Sequence, residues 1–432
     1  MRSSRYFSRR SMTDNREDRL GADPNEVADD DLAAIYGTSA ERAAEPLTLN
    51  ERIRTFKPWH HPVKQVVRAR QWAALTARLI DERAVPNDVL RYFTLPGADL
   101  LDVRVLAEVC AQRGVKIQYF GFDAGADEAE ERGPGERSAA IAESALRQAD
   151  RITADAVILP DRLEDIAIQD SHAAEQLRQR PPFDVINIDA CDHLGYCPKG
   201  RTRNTFDALG ALLSHQMEAR AAWMLFVTTR VEPALLGNPG IQFQRAIMEN
   251  LRLAEAAPFS GALASAIEAD SAKLASELTA VWGTHNARFL KLYCIGLGKF
   301  LLHFFHAQPN LPANVQLASA YAYRVYHEEP DMLALAFRIV PDPRRTFEPN
   351  VGGAAVIPDL EPRRAAYVAE QAKKLQDLDH ALEVEPDVRL EAVNGTVSLL
   401  HSANYDIQEW KAWLEGHCRR PVSLEGTSAL VC

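Results

Sequence analysis

The sequence predicts an α/β protein built on a doubly wound, mostly parallel sheet, and two observations support that prediction. Strand-like apolar segments alternate with helical segments from Leu90 to Thr229, which is typical of parallel strands joined by crossover helices. Three of these segments reach an aspartate at or just past the carboxyl end, at Asp123, Asp161 and Asp189. Carboxyl ends of parallel strands share one crevice, so we expect these acids to face one ligand with hydroxyl and amino groups.

The elements follow in order along this region. The first strand is LRYFTL, and the helix after it closes at Gly114. The second strand, VKIQYFGFD, leads through a glycine-rich acidic loop into the helix SAAIAESALRQADR. The third strand is AVILP, with a helix over 165–179, and the fourth is FDVINID, followed by the helix TFDALGALLSHQMEARA. WMLFVTT is the fifth strand, so every crossover holds a helix.

The segments after the fifth strand narrow the fold class. A helical stretch over 242–306 precedes two strand-like runs, ASAYAYRVYHEEP and MLALAFRIVPD, which are predicted to form an antiparallel hairpin. Five parallel strands that end in such a hairpin resemble the Rossmann-like sheet of class I methyltransferases, which use S-adenosylmethionine. A dehydrogenase would continue with a parallel sixth strand.

Three regions are predicted along the chain. Residues 1–48 are polar and without lasting periodicity, which predicts a disordered tail. Residues 49–342 form the methyltransferase-like domain, with its helical insertion at about 242–306. Residues 343–432 are predicted to hold a proline-punctuated linker and a small α+β module, with a turn at Asn394 and Gly395 and a strand VSLLH.

The net charge, the cysteines and the apolar segments indicate which partners and which compartment to expect. The net charge of −11 disfavours sequence-independent binding of nucleic acid, although it leaves a local basic groove open. Six scattered cysteines predict no disulfide framework and a reducing, cytoplasmic compartment. The amino-terminal residues lack the apolar core of a secretory signal, and no apolar run is long enough for a membrane span. The apolar helix over 286–306 predicts burial in the core or in an oligomer, so a protein partner or a homo-oligomer is expected.

The turn after the first strand is the first candidate site. Class I methyltransferases use a glycine-rich turn here, next to the amino-acid portion of the cofactor, whereas this chain has Gly97 alone. Gly97 permits a tight turn, and Asp99 is placed to meet an ammonium group. The structural alternative is a plain strand-to-helix turn that Asp99 caps.

The acids at the other strand ends are the next candidates. Asp123 stands where methyltransferases hold the two ribose hydroxyls, and Asp161 stands where the adenine amino group is met. Asp189 or Asp192 is expected to orient or deprotonate the methyl acceptor. The segment from Asp189 to Asp192 replaces the (Asp/Asn)-Pro-Pro-(Tyr/Phe) tetrad of base-methylating enzymes, so that tetrad's carbonyl and aromatic ring are absent. Each acid has the alternative role of a turn-forming aspartate.

The loop after the fourth strand contains residue types that bind metals. Cys191, His193 and Cys197 differ in spacing from the usual zinc sites, and no second Cys/His pair is close in sequence, although His417 and Cys418 could approach in space. A loop with free thiols is the simpler interpretation, and no metal is predicted.

The segment before the first strand carries a more specific resemblance. It concentrates polar and aromatic side chains, namely Trp59, His60, His61, Lys64, Gln65, Arg68 and Trp72. The block PWHHPVKQVVRARQWAALTARLI and the strand RYFTLPG resemble the opening of the three-Cys-motif partner proteins. His61 and Lys64 match that family's helix, and FDVINID matches its strand ending in an acid, over about residues 55–230. The resemblance implies a methyltransferase-like sheet, S-adenosylmethionine as cofactor, and a context in defence systems or mobile islands.

Two functions follow from these patterns. The first is a methyltransferase that binds S-adenosylmethionine between Gly97 and Asp189, with its acceptor undetermined. The second is a catalytically inactive Rossmann-like scaffold or partner-binding subunit. The single glycine, the absent tetrad, the long apolar helix and the added carboxyl-terminal region favour the scaffold. The family's Pro-Phe-Gly after the fourth-strand acid is also unmatched, which argues against catalysis.

Overall fold

The described part of the chain covers most of the predicted elements. The computed structural model describes residues 52–83, 88–123, 139–190, 192–253, 256–306, 312–342 and 361–417. The predicted tail over 1–48 lies outside these residues, as does most of the predicted linker.

A single sheet of eight strands organises the described residues, in the order β3-β2-β1-β4-β5-β7-β6-β8. The pairings of β7 with β5 and with β6 are antiparallel, and the others are parallel. A mostly parallel sheet with an antiparallel hairpin was predicted, and it is confirmed. The strands are β1 Val89–Thr94, β2 Lys116–Phe122, β3 Val157–Leu159, β4 Val185–Asp189, β5 Trp223–Arg230, β6 Ala313–Tyr323, β7 Met332–Pro341 and β8 Gln376–Asp377.

Helices connect most of the strands, and further helices precede β1 and follow β8. The rod before β1 is α-helical at Pro62–Val66, π-helical at Val67–Ala73 and α-helical again at Ala74–Asp81. The other α-helices are Leu101–Ala111, Ala139–Gln148, His172–Arg178, Thr205–Gln216, Gly237–Leu251, Ala257–Ala266, Leu274–Trp282, Ala287–His306, Glu361–Ala372, Leu378–Val384, Pro386–Ser402 and Ile407–His417.

Alternating side chains of the strands place a hydrophobic core on each face of the sheet. On β1, Tyr92 packs in one core and its neighbour Phe93 packs in the other. On β5, Phe226 lies on the Tyr92 side and Val227 on the Phe93 side. Strands buried on both faces read as continuous apolar runs, which is why the sequence revealed them so clearly.

The helical insertion between β5 and β6 packs into the Phe93 core. Its longest helix, Ala287–His306, buries side chains along most of its length, so its apolar character is explained by the protein's own core. Within it, Gly298 faces Val368, and an added Cβ would lie 2.6 Å from that side chain. No helix in the described ranges is long and apolar enough to cross a bilayer.

The carboxyl-terminal region differs from the prediction. The predicted strand VSLLH is helical and lies within Pro386–Ser402, and the predicted turn at Asn394 and Gly395 lies in the same helix. The physical reason is helix packing, because a Cβ on Gly395 would lie 3.1 Å from Gln65 of the rod. The glycine therefore permits a close approach of two helices, and the strand of this region is β8, which extends the sheet beside β6.

The turn that leaves β1 rests directly on β2. An added Cβ on Gly121 would lie 2.8 Å from Cδ of Pro96 and 3.0 Å from the carbonyl oxygen of Thr94. Because Gly121 has no side chain, the turn after β1 packs in direct contact with β2.

We expect Gly121→Ala to destabilise the protein by about 1–3 kcal/mol, because the methyl group would displace Pro96 and a backbone carbonyl. Chemical denaturation of the two proteins measures the difference. Gly210→Ala is the matched control, since Gly210 lies in a helix with no heavy atom near its added Cβ. That control should be neutral or more stable by up to about 1 kcal/mol, and equal effects at both positions would contradict the packing argument.

Candidate functional site

A pocket of about 440 Å³ opens at the carboxyl ends of β1, β2 and β4. This is the point where the strand order reverses direction from β1, the position at which open α/β sheets bind ligands. The pocket volume falls in the range of small-molecule sites. Nine of the residues that the sequence singled out line it together, namely Trp59, His60, Lys64, Arg68, Gly97, Asp99, Asp123, Asp161 and Asp189.

The turn after β1 runs from Gly97 to Leu100, and its left-handed residue is Leu100. Leu100 is fully buried and adopts a left-handed conformation with φ of 52°, and it precedes the helix Leu101–Ala111. Gly97 lies outside the left-handed region, and an added Cβ there would meet no protein atom within 4 Å. The carbonyl oxygen of Gly97 accepts a hydrogen bond from the backbone N–H of Leu100 at 3.0 Å, so a tight turn begins at Gly97 as expected. The turn does not use the left-handed freedom of glycine, and the missing side chain leaves open space at the pocket wall.

The three strand-end acids have different surroundings. The backbone N–H of Asp123 donates to the carbonyl of Leu159 at 3.0 Å, which continues the β2–β3 pairing to the pocket edge. Asp161 lies 2.9 Å from Nδ1 of His172, an exposed ring. Asp189 is the last residue of β4 and receives a hydrogen bond from Nζ of Lys64.

Lys64 links the rod before β1 to the end of β4. Its Nζ pairs with Asp189, lies 3.5 Å from Oγ1 of Thr228 and stands 4.8 Å from the ring centre of Trp72. The lysine side chain is buried, whereas the carboxylate is partly exposed to the pocket. A buried ammonium needs such a partner, so the pair holds Asp189 in one orientation at the pocket wall.

A buried polar cluster that the sequence did not reveal adjoins the pocket, and its member Asp102 lines the pocket. Asp102 accepts hydrogen bonds from the hydroxyls of Tyr92 and Thr94, and Asn187 donates to Tyr92 at 3.0 Å. Burial raises the pKa of the Asp102 carboxyl, and the two hydroxyl donors lower that pKa in part. These contacts tie β1 and β4 together next to the site.

A chain of hydrogen bonds crosses one wall of the pocket. The backbone N–H of Lys57 donates to Nδ1 of His60 at 3.0 Å, so the proton of the neutral ring lies on Nε2. Nε2 of His60 lies 3.2 Å from the hydroxyl of Tyr405, and that hydroxyl donates to Asp99. Tyr405 lies more than 300 residues from Asp99 along the chain, so no local pattern pointed to it.

The hairpin supplies the opposite wall, with Tyr323, Val325, Tyr326 and Met332. Its turn is fixed by Asp331, which is fully buried and accepts backbone hydrogen bonds at 2.7–2.9 Å from residues 325–327. An aspartate with three backbone donors makes a rigid support, so the aromatic wall is held in place.

Comparison with known families adds one finding to this geometry. A family model described as PP_RS20740-like matches residues 53–415, which covers every element of the pocket. The chain belongs to the PP_RS20740-like family. A search of curated proteins found no match. The family's description names no chemistry, so the pocket's geometry is what bears on function.

Other singled-out residues lie apart from the pocket lining. Asp192 is 43% exposed, and its carboxylate accepts from the backbone N–H of His193. His61 caps the helix Pro62–Val66 by accepting from the backbone N–H of Val63 at 3.3 Å. Asp192 and His61 therefore have local structural contacts in place of a pocket position. Cys197 is a free, exposed thiol, and Cys191 lies outside the described residues.

His60 gives the site a pH-dependent support. Burial, together with the charges of Arg68 and Lys57, lowers the pKa of its imidazole to about 3. The unfolded chain takes up this proton below about pH 6.5, whereas the folded protein keeps His60 neutral until about pH 3. The contribution of His60 to the free energy of unfolding is therefore fully present above about pH 6.5, and it decreases as the pH falls toward 3.

We expect His60→Gln to lose less stability than the wild type between pH 6.5 and pH 4. The predicted difference in the slope is up to about 1.4 kcal/mol per pH unit, measured by chemical denaturation across the range. Glutamine keeps a donor for Tyr405 without a titrating ring. His401→Gln replaces an exposed histidine and should follow the wild type, and parallel pH curves for all three proteins would contradict the assignment.

Proposed function

We propose that the protein binds S-adenosylmethionine in this pocket and has a class I methyltransferase-like fold. The observation that carries the proposal is the position of Asp123, which lines the pocket at the carboxyl end of β2. A carboxylate in that place accepts hydrogen bonds from two neighbouring hydroxyl groups, as a ribose presents them.

The sheet topology supports the proposal. The order β3-β2-β1-β4-β5-β7-β6, with β7 antiparallel to both neighbours, matches the strand plan of class I methyltransferases that the sequence suggested. The resemblance to the three-Cys-motif partner proteins points the same way, because two of its named features, Lys64 and the β4 acid, form an ion pair here.

The residues present fit a nucleoside joined to an amino acid. Asp123 and Asp161 supply acceptors for hydroxyl and amino groups, and Phe122 and Leu163 supply apolar surface beside them. Gly97 leaves open space beside Asp99, the acid expected to meet an ammonium group. S-adenosylmethionine, when bound, supplies an activated methyl group.

The contribution of the chain to a methyl transfer would be mainly orientation. Lys64 fixes the carboxylate of Asp189, which faces the pocket from β4 and is placed to orient or deprotonate an acceptor. Asp192 lies away from the pocket lining, so Asp189 is the one candidate of the two that the geometry favours.

The scaffold alternative has its own supporting observation. Asp189 already forms an ion pair with Lys64, and Asp99 already receives the hydroxyl of Tyr405. Structural ion pairs and hydrogen bonds of this kind also occur in proteins without catalytic activity, so these contacts are compatible with a binding module. The two functions differ in cofactor affinity and in state of association.

We expect calorimetric titration of S-adenosylmethionine into the full chain to give saturable heat with one site per chain. A well-folded sample that gives no heat at high protein concentration contradicts the proposal. Size-exclusion chromatography with light scattering completes the test. A monomer with cofactor affinity favours the enzyme, whereas an oligomer or a co-purifying partner without such affinity favours the scaffold.

We expect Asp123→Ala to weaken binding of S-adenosylmethionine ten- to a hundredfold, or about 1.5–3 kcal/mol, because a charged acceptor is lost. The melting temperature should change little, since a half-buried carboxylate at a strand end contributes little to packing. Asp170→Ala, at an exposed position outside the pocket, is the control and should alter neither quantity. A lower melting temperature with unchanged affinity would remove Asp123 from the site.

A further inference from the structure

Arg68 is a buried cation at the wall of the pocket. It lies in the π-helical segment Val67–Ala73, is 3% exposed, and belongs to the pocket lining. Segments of π-helix shift the register of side chains and are frequent at functional sites. Lys64 and Arg68 are four residues apart on the rod, and both line the same pocket.

The guanidinium of Arg68 has few partners for a group so deeply buried. Nη2 donates to the carbonyl of Trp59 at 2.9 Å, while Nε is buried without a hydrogen-bond partner. Within the described ranges, no carboxylate forms an ion pair with it. Burial of a charge is costly unless that charge is paired, so the protein's own residues compensate this electrostatic cost only in part.

The nearest acids are committed elsewhere. Asp189 pairs with Lys64, and Asp102 receives the hydroxyls of Tyr92 and Thr94. Burial lowers the pKa of Arg68, and the charges of Asp189 and Asp102 offset that effect only in part. A negatively charged ligand group in the pocket would give Arg68 the ion-pair partner that the described residues do not provide.

We propose that Arg68 is the anion-recognition residue of this pocket, and that the bound ligand presents a carboxylate or a phosphate group to its guanidinium. Arginine presents several N–H donors in a planar fork that matches either oxyanion. The inference deepens the proposed function and rests on it for the nature of the ligand. The anion has two possible sources, the amino-acid carboxylate of the cofactor and an acidic group on the methyl acceptor.

The experiment uses the full chain and three probes, in calorimetric titrations and thermal denaturation. Inorganic phosphate tests anion binding alone. S-adenosylhomocysteine carries a carboxylate, and 5′-methylthioadenosine has the same nucleoside without the amino-acid portion. The variants are Arg68→Met, Arg68→Lys and the control Arg70→Met, in which the lost cation is an exposed partner of Glu391.

We expect phosphate to raise the melting temperature of the wild type and of Arg70→Met but not that of Arg68→Met. Without ligand, Arg68→Met should melt at or above the wild-type temperature, because an unpaired buried charge is removed. If that variant fails to fold, Arg68→Lys replaces it. Lysine keeps the charge but lacks the planar fork, so its anion affinity should fall severalfold.

The probes separate the sources of the anion. A loss of tenfold or more for S-adenosylhomocysteine in Arg68→Met, with 5′-methylthioadenosine unchanged, assigns the anion to the cofactor. Unchanged affinity for both nucleosides with a lost phosphate response assigns it to the acceptor. If neither nucleoside binds the wild type while the phosphate response requires Arg68, the proposed function fails and the anion site stands.

Two results would overturn the inference. One is that phosphate and S-adenosylhomocysteine act on Arg68→Met as they act on the wild type. The other is a lower melting temperature of the ligand-free variant with an equal loss of affinity for both nucleosides, which would make Arg68 a purely structural residue.

Discussion

The ion pair between Lys64 and Asp189 is the contact on which the geometry of the site depends. It joins the helical rod that precedes β1 to the last residue of β4, two elements that are far apart in sequence. The ammonium is buried against Trp72, so separation of the pair would leave a charge in an apolar setting at a cost of about 3–5 kcal/mol. The rod is therefore held against the strand ends, and His60, Lys64 and Arg68 take their places in the pocket wall together.

The five parallel strands β1 to β5 were predictable because each is a short apolar run between helices. Runs such as FDVINID and WMLFVTT are buried on both faces, which gives a strong signal in a single sequence. The carboxyl-terminal region gave a misleading signal. Asn394 and Gly395 favour a turn by local propensity, yet Gly395 serves a close contact with Gln65, and such a contact depends on a distant helix that no local pattern contains.

The residues of the candidate site that could be predicted are the acids at the carboxyl ends of the parallel strands. Asp123, Asp161 and Asp189 come together because parallel strands place their carboxyl ends at one edge. Asp102 and Tyr405 escaped prediction because their roles come from contacts between separate elements. Asp331 acts locally, on backbone groups four to six residues before it, and its residue type alone does not specify those contacts. Asp192 misled for the opposite reason. It is close to Asp189 in sequence, but the chain turns away after β4 and directs its carboxylate to the backbone of the next residue.

Tyr405 has a consequence for the order of events during synthesis. It lies beside Ile53 in a parallel bridge and reaches Asp99 across the pocket, while Trp410 donates to the carbonyl of His60. One wall of the pocket is thus shared by residues separated by about 350 positions. A ribosome has to release the segment around Tyr405 before that wall can close, so the pocket is complete only after almost all of the described residues have been synthesised.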